Sequence, residues 1–421
     1  MPKDNIIVGL DVGTSKVRVV IASIKGKEEM KPRIIGVGES NSSGMRRGAV
    51  VDIEEMTKSI KRAVDQAERS CGVNIERAYV TIGGTHIKAK TSKGIAAVSR
   101  ADEEVSEEDI LRAINSASVV SINPNQEVIH VIPREFNIDG QTGVQDPRGM
   151  SGVRLEVDTL IIEALSPYIK NLRKCLNSAG IETEGLVLNA LAASEAVLTN
   201  KQKELGVLVL DFGGGTVGMT IYEERKLIHV HILPIGASHI TNDLAIGLRT
   251  SVETAEKVKL AYGSCLSEEI GKKESIDLSK LDEKEEGIVN RKEISRIVEA
   301  RIDEIFALVN KELKKIDRER LLPAGAVLVG GGAKTPGIID LAKEKLKLPV
   351  QLGYPQGFEG LTDKVDDPAF AGVSGLIFWA LQMQGDKEGR ILLPLIKKPA
   401  TRGALNRTLD KLKRLFRGLM P

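Results

Sequence analysis

Asp11, in "GLDVGTSKVRVV", and Asp211, in "LVLDFGGGTVGMT", each close a run of aliphatic residues and are followed two positions later by glycine. A carboxylate at a strand end can hold a divalent cation, most simply Mg²⁺ through its water shell. A turn stripped of side chains offers backbone N–H groups that form a nest for phosphate oxygens. The first turn supplies Gly13, Thr14, Ser15 and Lys16, and the second Gly213, Gly214, Gly215 and Thr216. One Asp-x-Gly turn is an ordinary hairpin. Two in one chain, each behind a strand-like run, point to a ligand gripped from two sides.

A third glycine run, "VLVGGGAKTPGI", places Gly330, Gly331 and Gly332 between a β-branched strand and a helix, which suits close passage of a nucleoside. The spacing is not GxGxxG, and no GxxxxGK[ST] occurs, so neither a Rossmann site nor a P-loop is supported. Histidines offer no catalytic alternative. His229 and His231 alternate on one face of "LIHVHILP", but the sequence shows no third ligand beside them, so they read as packed or solvated strand residues. His86 and His130 read as structural.

These turns need sheets to carry them. "NIIVGLDVGTSKVRVVIASI" predicts a strand, turn and strand, followed by a helix through Ile53, Met56, Ile60, Ala63, Val64 and Ala67 and a further strand at "RAYVTIGG". "LGVLVLDFGGGTVGMTIY" repeats the unit, which suggests an internal duplication. The stretch from Thr85 to Leu165 has its own strand and helix pattern and reads as an insertion. Val252 to Lys315 reads as a charged helical block, and "FAGVSGLIFWAL" as a buried helix too short to span a bilayer.

Composition narrows the class. The 421 residues are 42% hydrophobic and 28% charged with a formal net charge of +2, which predicts more than one globular unit and gives no general basis for binding nucleic acid. Cys71, Cys175 and Cys265 lie far apart, so buried free thiols in a reducing compartment are expected. The opening passes almost at once into a strand, so no signal peptide is expected. After a Gly, Pro and charge-rich linker, Leu405, Leu409, Leu412, Phe416 and Leu419 form one helical stripe with Leu415 beside it, and Arg407, Lys411, Lys413 and Arg414 populate the remaining surface. Such a basic amphipathic helix can lie in an anionic bilayer interface.

The set "GLDVGTSKVRVV", "LNALAASEAVL", "LVLDFGGGTVGMT", "VLVGGGAKTPGI" and "DPAFAGVSGLIFW" resembles, in order and spacing, the phosphate, connecting and adenosine motifs of the actin/Hsp70/sugar kinase superfamily. Within it the chain is similar to the FtsA family of bacterial cell-division proteins, through "GGTHIKAK", "VIHVIPREFNIDG", "GMSGVRLEVDTLII", "HITNDLAIGLRT" and "AEKVKLAYGSCL" as well. The resemblance implies an α/β, actin-like, two-lobed fold of duplicated RNase H-like domains, with an FtsA-type 1C subdomain in place of actin's 1B and a C-terminal amphipathic helix. The implied division is 1–84, 166–196 and the closing helix of 323–384 for subdomain 1A, and 85–165 for 1C. It continues with 197–248 and 323–384 for 2A, 249–322 for 2B, 385–404 for a linker and 405–421 for the membrane helix.

The resemblance further implies ATP with Mg²⁺ between the lobes. Gly13 to Lys16 and Gly213 to Thr216 would meet the phosphates, with Asp11 and Asp211 organising the metal through water. Gly331, Gly332 and Ala333 would flank the adenosine, and Glu256 and Lys259 would reach the ribose or base. It implies an actin-like self-polymer on the cytoplasmic face of the membrane at the division site. The implied contacts are the C-terminal peptide of the tubulin-like protein FtsZ through 2B, other division proteins through 1C, and anionic lipids through the tail. Where many relatives carry a carboxylate after the second phosphate loop this chain has Gly218, Asn189 stands in the connecting segment, and Glu195 reads as an exposed helix residue. Weak or no hydrolysis is therefore expected. The competing readings are a PilM-like pilus-assembly adaptor of the same fold, which the amphipathic tail disfavours, and a small-molecule kinase, for which no substrate base is visible.

Overall fold

The computed structural model of the chain describes residues 5–24, 31–99, 102–119 and 125–385. The first lobe begins with β1 (Asn5–Val12), β2 (Lys16–Ile24), β3 (Arg33–Asn41), the short pair β4 (Met45–Arg46) and β5 (Ala49–Val50), α1 (Ile53–Cys71) and β6 (Arg77–Ile82). An insertion follows with β7 (Ile87–Ala97), α2 (Glu107–Val119), β8 (Gln126–Ile138), β9 (Gln141–Val144) and β10 (Arg154–Leu165). The chain returns to the first lobe through α3 (Ser166–Ser178), β11 (Glu182–Leu188) and α4 (Asn189–Val197). After α5 (Asn200–Leu205), the second lobe comprises β12 (Val207–Phe212), β13 (Val217–Glu223), β14 (Lys226–Leu233), α6 (Ala237–Leu248) and α7 (Val252–Tyr262). It continues through β15 (Ser275–Asp277), β16 (Ile288–Asn290), α8 (Arg291–Lys315), β17 (Ala326–Val329), α9 (Ile338–Leu346) and β18 (Val350–Leu352). β19 (Glu359–Gly360) and α10 (Ala371–Gly385) close back on the first lobe.

The two main sheets have the order β11-β6-β1-β2-β3-β19 and β14-β13-β12-β17-β18. In each, an antiparallel three-strand meander continues into two parallel strands, so β3-β2-β1-β6-β11 corresponds to β14-β13-β12-β17-β18. The duplication holds in detail. Asp11 lies opposite Arg18, and Asp211 opposite Gly218. The Gly13 N–H donates to Lys16 O at 3.1 Å, and the Gly213 N–H to Thr216 O at 3.0 Å.

Burial explains the helices around these sheets. The α1 N-terminus is capped by Asp52, whose side chain accepts from Glu55 N, and the helix stops at Gly72 in the left-handed region. α4 and α10 are apolar nearly all round because they pack against one another and the sheets between the lobes. Small residues make that crossing possible. A Cβ at Gly375 would lie 1.7 Å from Ala192 O, and one at Gly9 would lie 2.6 Å from Val373 O. No helix among the described residues is long and apolar enough to cross a membrane.

The insertion is an antiparallel sheet, β7-β10-β8-β9, with α2 on one face and a core of its own around Ile114, Leu155 and Ile161. Two expectations are revised. The block from Val252 to Lys315 is not helical throughout: α7 and α8 are separated by the β15-β16 hairpin, around the acidic turn that includes "LDEKEEG". Cys175 and Cys265 are buried, but Cys71 is only half-buried, because it ends α1 where the helix leaves the core.

Candidate functional site

The two Asp-turn hairpins face each other across a cavity of about 870 Å³. Its walls include Asp11, Gly13 to Lys16, Asp211, Gly213 to Thr216, Glu256, Lys259, Gly331 and Gly332, so residues of four separate segments predicted to share a site do share one. Ala333 does not line it. Its side chain belongs to the second lobe's core, because the turn at Gly331–Lys334 directs it inward.

Each hairpin is held by its neighbours. The Thr14 hydroxyl accepts from Gly48 N at 3.1 Å. Ala237 N and Ser238 N, at the start of α6, donate to the carbonyls of Gly213 and Gly214 at 3.0 and 2.8 Å. The glycines also let the lobes interlock. A Cβ at Gly214 would lie 2.1 Å from Ser15 Oγ, and one at Gly215 would lie 2.7 Å from Arg47 Cα and 2.9 Å from Thr14 Oγ1. Gly330, at φ +85°, passes so close to Asp211 that a Cβ would meet its Oδ1 at 2.6 Å.

The electrostatics centre on the two carboxylates. Asp11 accepts from the Thr81 hydroxyl at 2.5 Å, and Asp211 from Asn189 Nδ2 at 2.6 Å. Burial raises the Asp11 carboxyl above its ordinary range, against the lowering effects of Thr81 and Arg18. Asp211 is pushed up to about 7, first by burial and then by the charge of Asp11. Two desolvated carboxylates repelling one another are the donor chemistry that a hydrated divalent cation relieves. These residues fit Mg²⁺.

Cations line the same cavity. Lys16 Nζ sits 3.0 Å from Glu39, and Arg18 Nε 2.8 Å from the same carboxylate. Lys259 Nζ is held by Glu256 at 2.6 Å and by Thr241 at 2.9 Å, joining α7 to α6, while the Thr241 hydroxyl also donates to Glu256. Lys334 Nζ meets Asp367 at 2.5 Å. Arg18, Thr81, Lys334 and Asp367 were not singled out from the sequence, although Arg18 holds the position in the first hairpin that Gly218 holds in the second.

Gly218, Asn189 and Glu195 are the positions that bear on hydrolysis. A Cβ at Gly218 would lie 2.9 Å from that of Ala190, so this position is packed against α4. Asn189 spends its amide on Asp211, while its buried Oδ1 has no hydrogen-bond partner and lies where a Cβ on Gly372 would come within 1.9 Å. Glu195 is not exposed, as its sequence position suggested. Its side chain is 14% accessible and engaged by Lys203 at 2.7 Å and Gln382 at 2.9 Å, because α10 covers that face of α4.

The histidine pair also departs from expectation. His229 and His231 do have a third potential ligand nearby, Glu312 of α8. His86 stacks on Tyr168, and His130 meets Trp379 edge-on. The stripe expected over 405–421, with residues 386–404 of its linker, lies outside the described residues.

Residues 208–375 match the family model described as cell division protein FtsA, and residues 84–163 match the SHS2 domain inserted in FtsA. The chain is 38% identical over 380 residues to the cell division protein FtsA of Pseudomonas aeruginosa, covering 90% of each chain. It is 36% identical over 392 residues to that of Bacillus subtilis, covering 92% of this chain and 87% of the other. Among solved structures, a PilM–PilN type IV pilus biogenesis complex aligns at a TM-score of 0.65 and 15% identity, covering 89% of this chain and 98% of that one. MreB5 of Spiroplasma citri bound to ADP aligns at a TM-score of 0.52 and 14% identity, covering 92% and 100%.

Proposed function

Because the chain belongs to the FtsA family of cell division proteins, we propose that its cleft binds ATP with Mg²⁺ and that binding governs assembly of an actin-like filament on the membrane. The observation that carries this reading is the pair of equivalent hairpins, Asp11 to Arg18 and Asp211 to Gly218, turned toward one another across one cavity. A triphosphate there would take the N–H groups of Gly13 to Lys16 on one side and of Gly213 to Thr216 on the other. Asp11 and Asp211 would hold the waters of Mg²⁺, which supplies charge neutralisation between the phosphates. Gly331 and Gly332 leave room for the adenosine, and Glu256 with Lys259 reaches it from the second lobe. MreB5, of the same fold, is known bound to ADP, which accords with this assignment.

The subdomain boundaries set out above belong to the same reading. So do the docking of the FtsZ C-terminal peptide on 2B, contact of other division proteins with 1C, and attachment of residues 405–421 to anionic lipids at the cytoplasmic face. Leu409, Leu412, Phe416 and Leu419 supply apolar contact at ~1 kcal/mol each when partly buried, and each nearby basic residue adds ~1 kcal/mol. One tail then binds reversibly, and a filament presenting many tails gains avidity without new contacts. The likeness to PilM, at 15% identity, is one of fold.

Electron microscopy on an anionic lipid monolayer tests the whole reading, with and without ATP and with residues 405–421 present or deleted. Filaments that require both ATP and the tail are expected. Filaments indifferent to ATP would remove the nucleotide from the proposal, and filaments bound to lipid without the tail would remove the tail.

A further inference from the structure

We propose that His229, His231 and Glu312 form a site for a borderline divalent cation of the Zn²⁺ class, outside the nucleotide cleft. Alternation along β14 puts the two histidines on one face of the sheet. Their cross-strand partners, Ile221 and Met219, belong to the core that also takes in Val309 and Leu313 of α8. Glu312 therefore meets the histidines from above. One donor atom from each of the three residues lies within 4.8 Å of the others, and His231 Nε2 is 3.7 Å from Glu312 Oε1.

Three features favour a ligand over ordinary packing. The imidazoles are nearly parallel, 12° apart with centroids separated by 6.2 Å. His229 Nε2 is buried and has no hydrogen-bond partner, a desolvation penalty that coordination would remove. Glu312 is 7% exposed, so its charge is already assembled in a largely dehydrated place. Two imidazoles and a carboxylate are a donor set that zinc accepts with water in the fourth position, at bonds of about 2.0–2.2 Å. Closing from 4.8 Å to a tetrahedral donor spacing requires displacements of about 1 Å per side chain.

The group in competition is Lys315, which pairs with Glu312 one turn along α8. Its side chain is 55% exposed, so it can swing to solvent when a cation arrives. Arg134, from the inserted subdomain, is the other positive charge acting on His229. Near the far end of β14, Lys226 meets Glu135 of the same insertion at 3.6 Å. A bound metal would tie β14 to α8 beside the seam where the insertion rests on the second lobe.

The test is titration of the untagged full chain, stripped with chelator, with Zn²⁺ by calorimetry and with Co²⁺ by visible absorption. One saturable ion per chain is expected, with the intense Co²⁺ bands of a four-coordinate site. His231→Ala, at a half-exposed position, should weaken binding at least tenfold while leaving the thermal midpoint of the metal-free protein unchanged. Glu312→Gln should remove the four-coordinate spectrum. Several weak ions per chain, or a single site indifferent to His231→Ala, would overturn the assignment and leave Glu312 as the partner of Lys315 alone.

Discussion

His130 Nε2 accepts the backbone N–H of Leu188 at 3.1 Å. Leu188 ends β11, and the next residue, Asn189, holds Asp211 at 2.6 Å. The inserted subdomain is thus two residues and two hydrogen bonds from a cleft carboxylate. This contact requires a neutral imidazole, and burial beside Trp379 pushes the His130 pKa down to about 3.

That depression carries a sign. The unfolded chain takes up a proton at His130 near its ordinary value of 6.5 while the folded one does not, so its contribution to stability is full above 6.5 and falls as the pH drops toward about 3. His86, lowered to about 4 by burial, acts in the same direction, and Asp211, raised to about 7, acts in the opposite one. The clean measurement is therefore a comparison by urea unfolding of the parent with His130→Gln, which can still accept from Leu188. Between pH 7 and pH 5 the parent should lose about 2 kcal/mol more than the variant. Equal losses would mean that His130 is protonated in the folded protein.

The interlocked glycines make a second prediction. Gly214→Ala puts a methyl 2.1 Å from Ser15 Oγ, so that hydroxyl must rotate away from the rotamer it holds, at a cost of about 1 kcal/mol. Replacing Ser15 with alanine in that background leaves its Cβ at 3.2 Å and should restore most of the thermal midpoint. A double variant no more stable than Gly214→Ala would show that the clash lies elsewhere.

Hydrolysis offers a third. Gly218→Asp is the change that would place a carboxylate after the second phosphate loop, but its Cβ has Ala190 at 2.9 Å. The variant should be destabilised by about 1–3 kcal/mol and show no gain in phosphate release over a slow parent. Rapid release by the parent would contradict the expectation drawn from Gly218 and Asn189, and a stable, faster variant would show that α4 yields.

Both hairpins were legible in the sequence because a strand-end Asp followed by glycine is a local pattern, and its recurrence exactly two hundred positions on exposed the duplication. The inserted unit was legible as a break in that repeat. What could not be read were contacts made across long chain separations. Glu312 lies on a helix distant in sequence from His231, and no spacing rule links them. Glu195 looked exposed because the helix that covers it, α10, comes nearly two hundred residues later. The β15-β16 hairpin was hidden because its strands are three residues each and charge dominates their surroundings.

The last prediction separates fold from ligand at Asp211. Asp211→Asn keeps an oxygen for the Asn189 amide and removes one of two buried charges that repel each other. At pH 8 the nucleotide-free variant should be at least as stable as the parent, since neutralising a desolvated like-charge pair lowers the folded state's free energy. Its affinity for ATP in excess Mg²⁺ should fall at least tenfold, because one of the two groups that hold the metal's water shell has lost its charge. Calorimetry with and without EDTA distinguishes the causes: the parent's affinity should drop to the variant's when Mg²⁺ is removed, and the variant's should hardly change. A variant that melts earlier and binds Mg·ATP as the parent does would reverse both halves of the argument, making Asp211 a structural partner of Asn189 with no part in holding the cation.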